Sequence, residues 1–323
     1  MILTPLAGRS LLSVSGSDSF RFLQGLVSND MSLLNGKAKQ LLKSVFLGSD
    51  GRVQGDALIS STEGGYMIET GSDNLECLLS LLQRRKLGSS VENNVIDDVY
   101  VYGKVPLWLI DKLKVGATPG KTATKNQTYA TEYACETPFL SRVYSREAFD
   151  VADFSAAYRL YMALNGFGLA LAKQLKPLKV VPQDMRLHSM GFISQNKGCY
   201  VGQEVMNRII NRTLSHKYRL KYVIRCDHTE APPSDRNFDD EPSYPEIGLT
   251  KTLMQNVGDK TVNAIINGLI RPGVEEIPSV TADDGVVPIV YYSTGFGLAL
   301  CPQRGTTKEH IIVNGERHTP FTV

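Results

Sequence analysis

Lys197-Gly198-Cys199-Tyr200-Val201-Gly202-Gln203-Glu204 gathers a thiol, an ammonium, a carboxamide and a carboxylate around two glycines within eight residues. A buried strand has no use for polar groups at that density, and Gly202 lets the backbone pass close to a neighbour before Gln203 to Asn211, which reads as a helix. Two readings fit Cys199. Lys197, two residues upstream, is a cation near enough to favour a thiolate and so a reactive site. Alternatively Cys199 packs as a small hydrophobe, with Lys197 and Glu204 solvated or paired with each other to shape the turn. Arg208, one turn beyond Glu204, is either a ligand contact or the i,i+4 partner of that carboxylate.

Upstream of this stretch the pattern is mixed. Ser10 to Gly16 alternates as a short strand, and Ser17-Asp18 then open a helix carrying Phe20, Phe22, Leu23 and Leu26. Ser44 to Leu47, Val53 to Ile59 and Tyr66 to Glu69, separated by glycine turns, predict an antiparallel meander. Asp73 to Leu87 reads as a helix with a capping box from Asp73 to Glu76, a stripe of Leu75, Leu78, Leu79 and Leu82, a basic last turn, and Gly88 as its stop. Val95 to Val105 alternates, Leu107 to Ile110 begins an apolar segment, and the polar stretch Gly116 to Glu136 reads as a surface loop. Ser155 to Leu164 is a helix capped by Ser155 and ending at Asn165-Gly166.

Beyond Arg212 the pattern turns to strands: Lys221 to Cys226, Val262 to Leu269, Val286 to Tyr292, Phe296 to Leu300 and His310 to Val313, separated by the polar stretches Asp227 to Pro245 and Gly273 to Asp284. A C-terminal β-barrel or sandwich of about 110 residues is the economical reading. The chain is therefore α+β, with residues 1–212 as a mixed region of two interleaved subdomains and 213–323 as a β domain.

Composition narrows the function classes. The 35 basic and 33 acidic residues of the 323-residue chain leave a net charge of +2, and no Lys/Arg run exceeds Arg84-Arg85-Lys86, which gives no bulk electrostatic signal for nucleic acid. Five cysteines (Cys77, Cys135, Cys199, Cys226, Cys301) form no CxxC pair, so neither a disulfide framework nor a zinc site is expected. The five histidines have no HxxH or HxxxH spacing, and His188 reads as a turn or surface residue. No apolar run approaches the roughly 18 residues of a membrane span. Met1 to Pro5 has neither a signal-peptide nor a transit-segment pattern. Neither GxGxxG nor GxxxxGK[ST] occurs, which argues against dinucleotide and phosphate-loop chemistry.

The opening octet resembles the KGCYxGQE signature of the YgfZ-type folate-binding proteins, which assist iron-sulfur cluster maturation and are relatives of the aminomethyltransferase (T-protein) of the glycine cleavage system. Phe22-Leu23-Gln24-Gly25-Leu26-Val27-Ser28-Asn29-Asp30 is similar to the family's FLQG…ND segment, Gly51-Arg52 through Ile59 to its "GR…D" strand, and Val181-Pro182-Gln183-Asp184 lies at its spacing before the signature. Gly297-Leu298-Ala299-Leu300 looks like its last barrel strands.

The resemblance implies a ring-like, three-part aminomethyltransferase fold with a C-terminal β-barrel, and tetrahydrofolate or a reduced derivative in a central opening. It implies a role for Cys199 at a cluster, persulfide or partner, and site or folate contacts for Lys197, Tyr200, Gln203, Glu204, Arg208 and Asn29, although Asn29-Asp30 is also ordinary turn chemistry. Asp56 matches the Asp that serves general acid/base chemistry beside the folate in aminomethyltransferases, and it otherwise reads as a solvated strand-end residue. The chain keeps one carboxylate there where the transferases have two adjacent ones, which favours an accessory protein without defined turnover over a one-carbon transferase. The expected setting is soluble and intracellular, mitochondrial if a transit segment has been trimmed and cytoplasmic otherwise. The expected partners are a reduced folate and iron-sulfur assembly proteins, with no nucleic acid or membrane and a monomeric state.

Overall fold

Glycine turns and short β-branched or aromatic runs give the front of the chain its sheet. In a computed structural model, residues 1–37, 39–107, 109–110, 130–167, 179–211, 213–225, 280–282, 285–287, 289–293, 296–303, 310–313 and 316–322 are described. They fall into two compact units. The first takes Met1–Val105, Ala117–Ser155 and Ala170–His216, and the second Pro106–Gly116, Ala156–Leu169 and Lys217–Val323.

The described strands of the first unit are β1 (Ile2–Pro5), β2 (Arg9–Ser15), β3 (Gln40–Leu47), β4 (Val53–Thr62), β5 (Gly65–Gly71), β6 (Glu92–Ile96), β7 (Tyr100–Val105), β8 (Ala130–Cys135) and β9 (Arg142–Ser145). They form one sheet in the order β1-β7-β9-β8-β3-β4-β5-β2-β6. The expected meander is β3-β4-β5, antiparallel, with Leu42 opposite Ile59 and Ile59 opposite Ile68. Helices α1 (Ser19–Leu26) and α2 (Leu75–Arg85) cover it. Phe22, Leu23 and Leu26 of α1 and Leu78 and Leu82 of α2 bury against Leu12, Val14, Phe46, Ile59 and Ile68. Each such side chain contributes about 1.5–3 kcal/mol on burial.

Several local expectations need correction. Glu92–Ile96 and Tyr100–Val105 are two strands at opposite ends of the sheet's order, the first at one edge and the second next to the other edge, where the alternation suggested one. The stretch read as a loop from Gly116 to Glu136 contains β8, because Thr131 and Tyr133 suit a strand that pairs antiparallel with β9 and parallel with β3 through Gln40 opposite Ala134. Asp73 is not the N-cap of α2. A 3₁₀ turn occupies Ser72–Asn74, Asn74 stands at the N-cap without a side-chain cap bond, and its amide reaches Thr70 instead, 3.4 Å away.

Helix α3 (Ser155–Leu164) runs as expected and ends at Gly166, whose φ of +67° suits glycine, but the Asp153 carboxylate, accepting from the Ser155 amide at 2.8 Å, opens it.

The second unit carries an antiparallel sheet whose described strands are β10 (Tyr218–Arg225), β11 (Val280–Ala282), β12 (Gly285–Val287), β13 (Ile289–Ser293), β14 (Phe296–Pro302), β15 (Ile311–Val313) and β16 (Glu316–Thr322), in the order β12-β11-β15-β16-β10-β14-β13. Leu220, Tyr222, Ile224, Phe296, Leu298 and Leu300 are its buried centre, and the Tyr222 hydroxyl donates to the Leu164 carbonyl at the end of α3 at 2.9 Å. The β-rich last third is thus present. β11 lies in a stretch read as polar loop, and β16 has no counterpart in the sequence reading. Trp108, Cys226, Asp227 to Pro245 and Val262 to Leu269 lie outside the described residues.

Candidate functional site

Helix α1 ends at Leu26, leaving its last carbonyls without helical partners. The loop before and within the opening motif supplies them. The Lys197 ammonium donates to the carbonyls of Gln24 (2.6 Å), Val27 (2.6 Å) and Asn29 (3.0 Å), and the Val201 amide donates to Gly25 at 3.1 Å. Upstream, the Ser194 amide donates to the Ser28 carbonyl at 3.0 Å, and the Ser28 hydroxyl to the Phe192 carbonyl at 2.8 Å. Asn29 donates its amide to the carbonyls of Lys43 (2.8 Å) and Gly191 (3.0 Å) and accepts from the Asp30 amide at 2.9 Å. Gln24 closes the socket, accepting from the Met31 amide and donating to the Asp30 carboxylate. The FLQG…ND segment and the KGCY motif are one hydrogen-bonded body.

Lys197 therefore makes no ion pair with Glu204 and sends all three ammonium protons to carbonyls. Burial pushes it down to about 8 against the pull of the Asp30 charge, while the three carbonyls favour its charged form. Burial alone would raise Asp30; hydrogen bonds from Ser32 and Gln24 and the charge of Lys197 hold it below its ordinary value. The ammonium also lies 5.0 Å from the centroid of the buried Tyr200 ring, and burial pushes that phenol up to about 12.

Between these two buried anchors Cys199 is exposed, so the packed-thiol reading fails. Beside it, a Cβ on Gly198 would meet nothing within 4 Å. After Tyr200 the chain turns at Gly202 (φ +83°) into helix α4 (Gln203–Ile210). A Cβ on Gly202 would stand 2.6 Å from the Gly48 carbonyl oxygen, and one on Gly51 (φ +73°) 2.8 Å from Val205, so the β3–β4 turn and the start of α4 fit only as glycines. Gln203 is half-buried, and Glu204 and Arg208 are exposed. Among the described residues those two charges make no ion pair with each other. The Arg208 carbonyl instead accepts from Thr213 and Leu214, closing the end of α4.

Asp56 stands inside β4, not at a strand end. Arg9 donates to it at 2.5 Å, the Gly71 amide reaches its other oxygen at 3.4 Å, and Arg9 also donates to the fully buried Glu69 at 2.7 Å. Glu69 further accepts from Arg142 at 3.0 Å and from the Tyr144 hydroxyl at 2.7 Å. Burial would raise the Glu69 carboxyl, but the Arg142 and Arg9 charges hold it below its ordinary value; burial and the Glu69 charge drive the Tyr144 phenol well up. No hydrogen bond or ion pair among the described residues joins Asp56 to the Cys199 loop.

The structure thus brings Lys197, Tyr200 and Asn29 together around the exposed Cys199, continues into Gln203, Glu204 and Arg208 on α4, and sets Asp56 in a separate network. Sequence reasoning missed Gln24 and Ser28 as scaffold, and Arg9, Glu69, Arg142 and Tyr144 altogether. A Glu within the apolar strand Tyr66 to Gly71 was the available sign of the last group.

The fold is similar to that of the glycine cleavage system aminomethyltransferase T from Bartonella henselae, with a TM-score of 0.55 and 12% identity over 99% of this chain and 84% of that one. In sequence the chain is 29% identical over 238 residues to the mitochondrial iron-sulfur cluster assembly factor IBA57 homolog of Pyricularia oryzae, covering 71% of this chain and 59% of that protein. The chain is thus similar in fold to an aminomethyltransferase and in sequence to proteins named as IBA57 homologs, in keeping with the resemblance of its motifs to the YgfZ-type group. Other relatives carry the same IBA57 name: that of Coccidioides immitis is 27% identical (70% of this chain, 57% of that one), and that of Mycosarcoma maydis 24% (82% and 66%). The chain spans about three-fifths of the length of the first of these relatives. No family model matches it.

Proposed function

We propose that this protein is an iron-sulfur cluster assembly factor acting in mitochondria, with a reduced folate as its small-molecule ligand, other assembly proteins as its partners, and Cys199 as its working group. The observation that carries this reading is the exposed thiol of Cys199 held between two buried anchors, in a motif shared with the YgfZ-type group. The names of the relatives support the assembly role and the mitochondrial setting. The folate rests on the resemblance to the YgfZ-type proteins.

The competing reading is a folate-dependent transferase using Asp56 as acid/base. Both Asp56 oxygens already accept, from Arg9 and from the Gly71 amide, so proton transfer there would require that pairing to open. The readings separate in a strain lacking the endogenous protein. Cys199→Ser is expected to abolish support of cluster-dependent enzymes while Asp56→Asn retains it, and calorimetry is expected to show binding of tetrahydrofolate. Full activity of Cys199→Ser, together with a methylene-folate product lost in Asp56→Asn, would overturn the assembly reading in favour of the transferase. No heat with any reduced folate would remove the ligand from it.

A further inference from the structure

We infer that Lys197 is a positioning residue, a latch that closes the open end of α1 and thereby presents Cys199. This rests on the role of Cys199 proposed above. The geometry is independent of it. Gly198 and Cys199 are exposed between Lys197 and Tyr200, which are both buried. What holds the loop in place is a set of bonds to residues 24–29, about 170 positions earlier in the chain. Three of them come from one ammonium. The neighbouring Val201 amide on Gly25 and Ser194 amide on Ser28 are backbone bonds that fix where the loop starts and ends but leave the middle to Lys197.

The acceptors are what make Lys197 a latch and not a reagent. An ammonium has three protons, and all three have a carbonyl within 3.0 Å. Charge-assisted bonds to carbonyls at a helix C-terminus are favoured by the helix dipole as well. The groups facing the ammonium are those carbonyls, the Tyr200 ring and the Asp30 carboxylate, whose own oxygen is engaged by Gln24 and Ser32. Gln24 is the second part of the latch, because its side chain fixes the Asp30–Met31 turn while its carbonyl receives Lys197.

The test uses the full chain with Lys197→Met, Lys197→Arg and Cys199→Ser. Hydrogen exchange of peptides spanning residues 194–201 is expected to speed by about tenfold or more in Lys197→Met, and less in Lys197→Arg, while peptides from β10 and β14 stay unchanged. Support of cluster-dependent enzymes is expected to drop in Lys197→Met and to recover partly in Lys197→Arg. If Lys197→Met fails to fold, Gln24→Leu carries the same readouts. Unchanged exchange at 194–201 would overturn the latch, and so would full support of cluster-dependent enzymes by Lys197→Met. Full activity of Cys199→Ser with accelerated exchange in Lys197→Met would overturn the proposed function and leave the latch standing.

Discussion

Two buried charges in the first unit are handled in opposite ways. Glu69 sits on the sheet and is neutralised by ions, with Arg142 and Arg9 on its oxygens and Tyr144 donating as well. Lys197 sits in a loop and is neutralised by dipoles, with three backbone carbonyls around it and Asp30 as the one carboxylate among the described residues that acts on it. The first arrangement ties strands β2, β4, β5 and β9 to one another and leaves only Arg9 and Asp56 partly in reach of solvent. The second ties a loop to a helix end and leaves a thiol in solvent. Ion pairs here make a rigid platform, and carbonyl capture makes a display.

The sharpest way to break the comparison is to remove the centre of the ion network. Glu69→Gln is expected to destabilise the chain by about 3–5 kcal/mol in denaturant unfolding, because Arg142 keeps its burial and loses this counter-charge while Arg9 is left with Asp56 alone. Its pH dependence has a definite sign. A carboxyl held below its ordinary value of 4.5 contributes stability above that pH, and the contribution is lost as pH falls through the lower folded value. The wild type should therefore lose stability in acid faster than Glu69→Gln, and parallel acid titrations of the two proteins would contradict the assignment.

Lys197→Met comes next, at about 1.5–3 kcal/mol, since it removes hydrogen bonds from a charged group but leaves acceptors that the loosened loop exposes to water. Gly202→Ala should cost about 1–3 kcal/mol through its left-handed backbone and the Gly48 oxygen, while Gly198→Ala, four residues earlier and in open space, should change the unfolding midpoint hardly at all. Cys199→Ser should be the mildest, within about 0.5 kcal/mol. A large loss of stability in Cys199→Ser would show that the thiol is part of the scaffold and not its display.

The same contrast explains what the sequence disclosed. The display was legible because its residues crowd into two short motifs, and the glycines, the cysteine and the helix start each announce a local requirement. Lys197 was visible, but its partners were not, since backbone carbonyls carry no residue identity and the spacing to Glu204 suggested a pair that does not form. The platform was nearly silent. Arg9, Asp56, Glu69 and Arg142 meet only because β2 sets Arg9 opposite Gly71, β5 sets Glu69 opposite both Leu11 and Leu58, and the bare Gly71 leaves space between the side chains. That is register information, and alternation within single strands does not contain it. The fold class survived these gaps because apolar periodicity reports which face is buried, independently of which charges meet there.

The sequence distance between socket and latch has a consequence for biosynthesis. Residues 24–29 leave the ribosome early, whereas the ammonium that satisfies their carbonyls follows 168 to 173 residues later. At translation rates of about 5–20 residues per second, the end of α1 waits roughly ten to thirty seconds with its carbonyls open. A nascent chain truncated before residue 197 lacks the ammonium that closes the helix end, so the thiol and the closure of the helix that presents it arrive together.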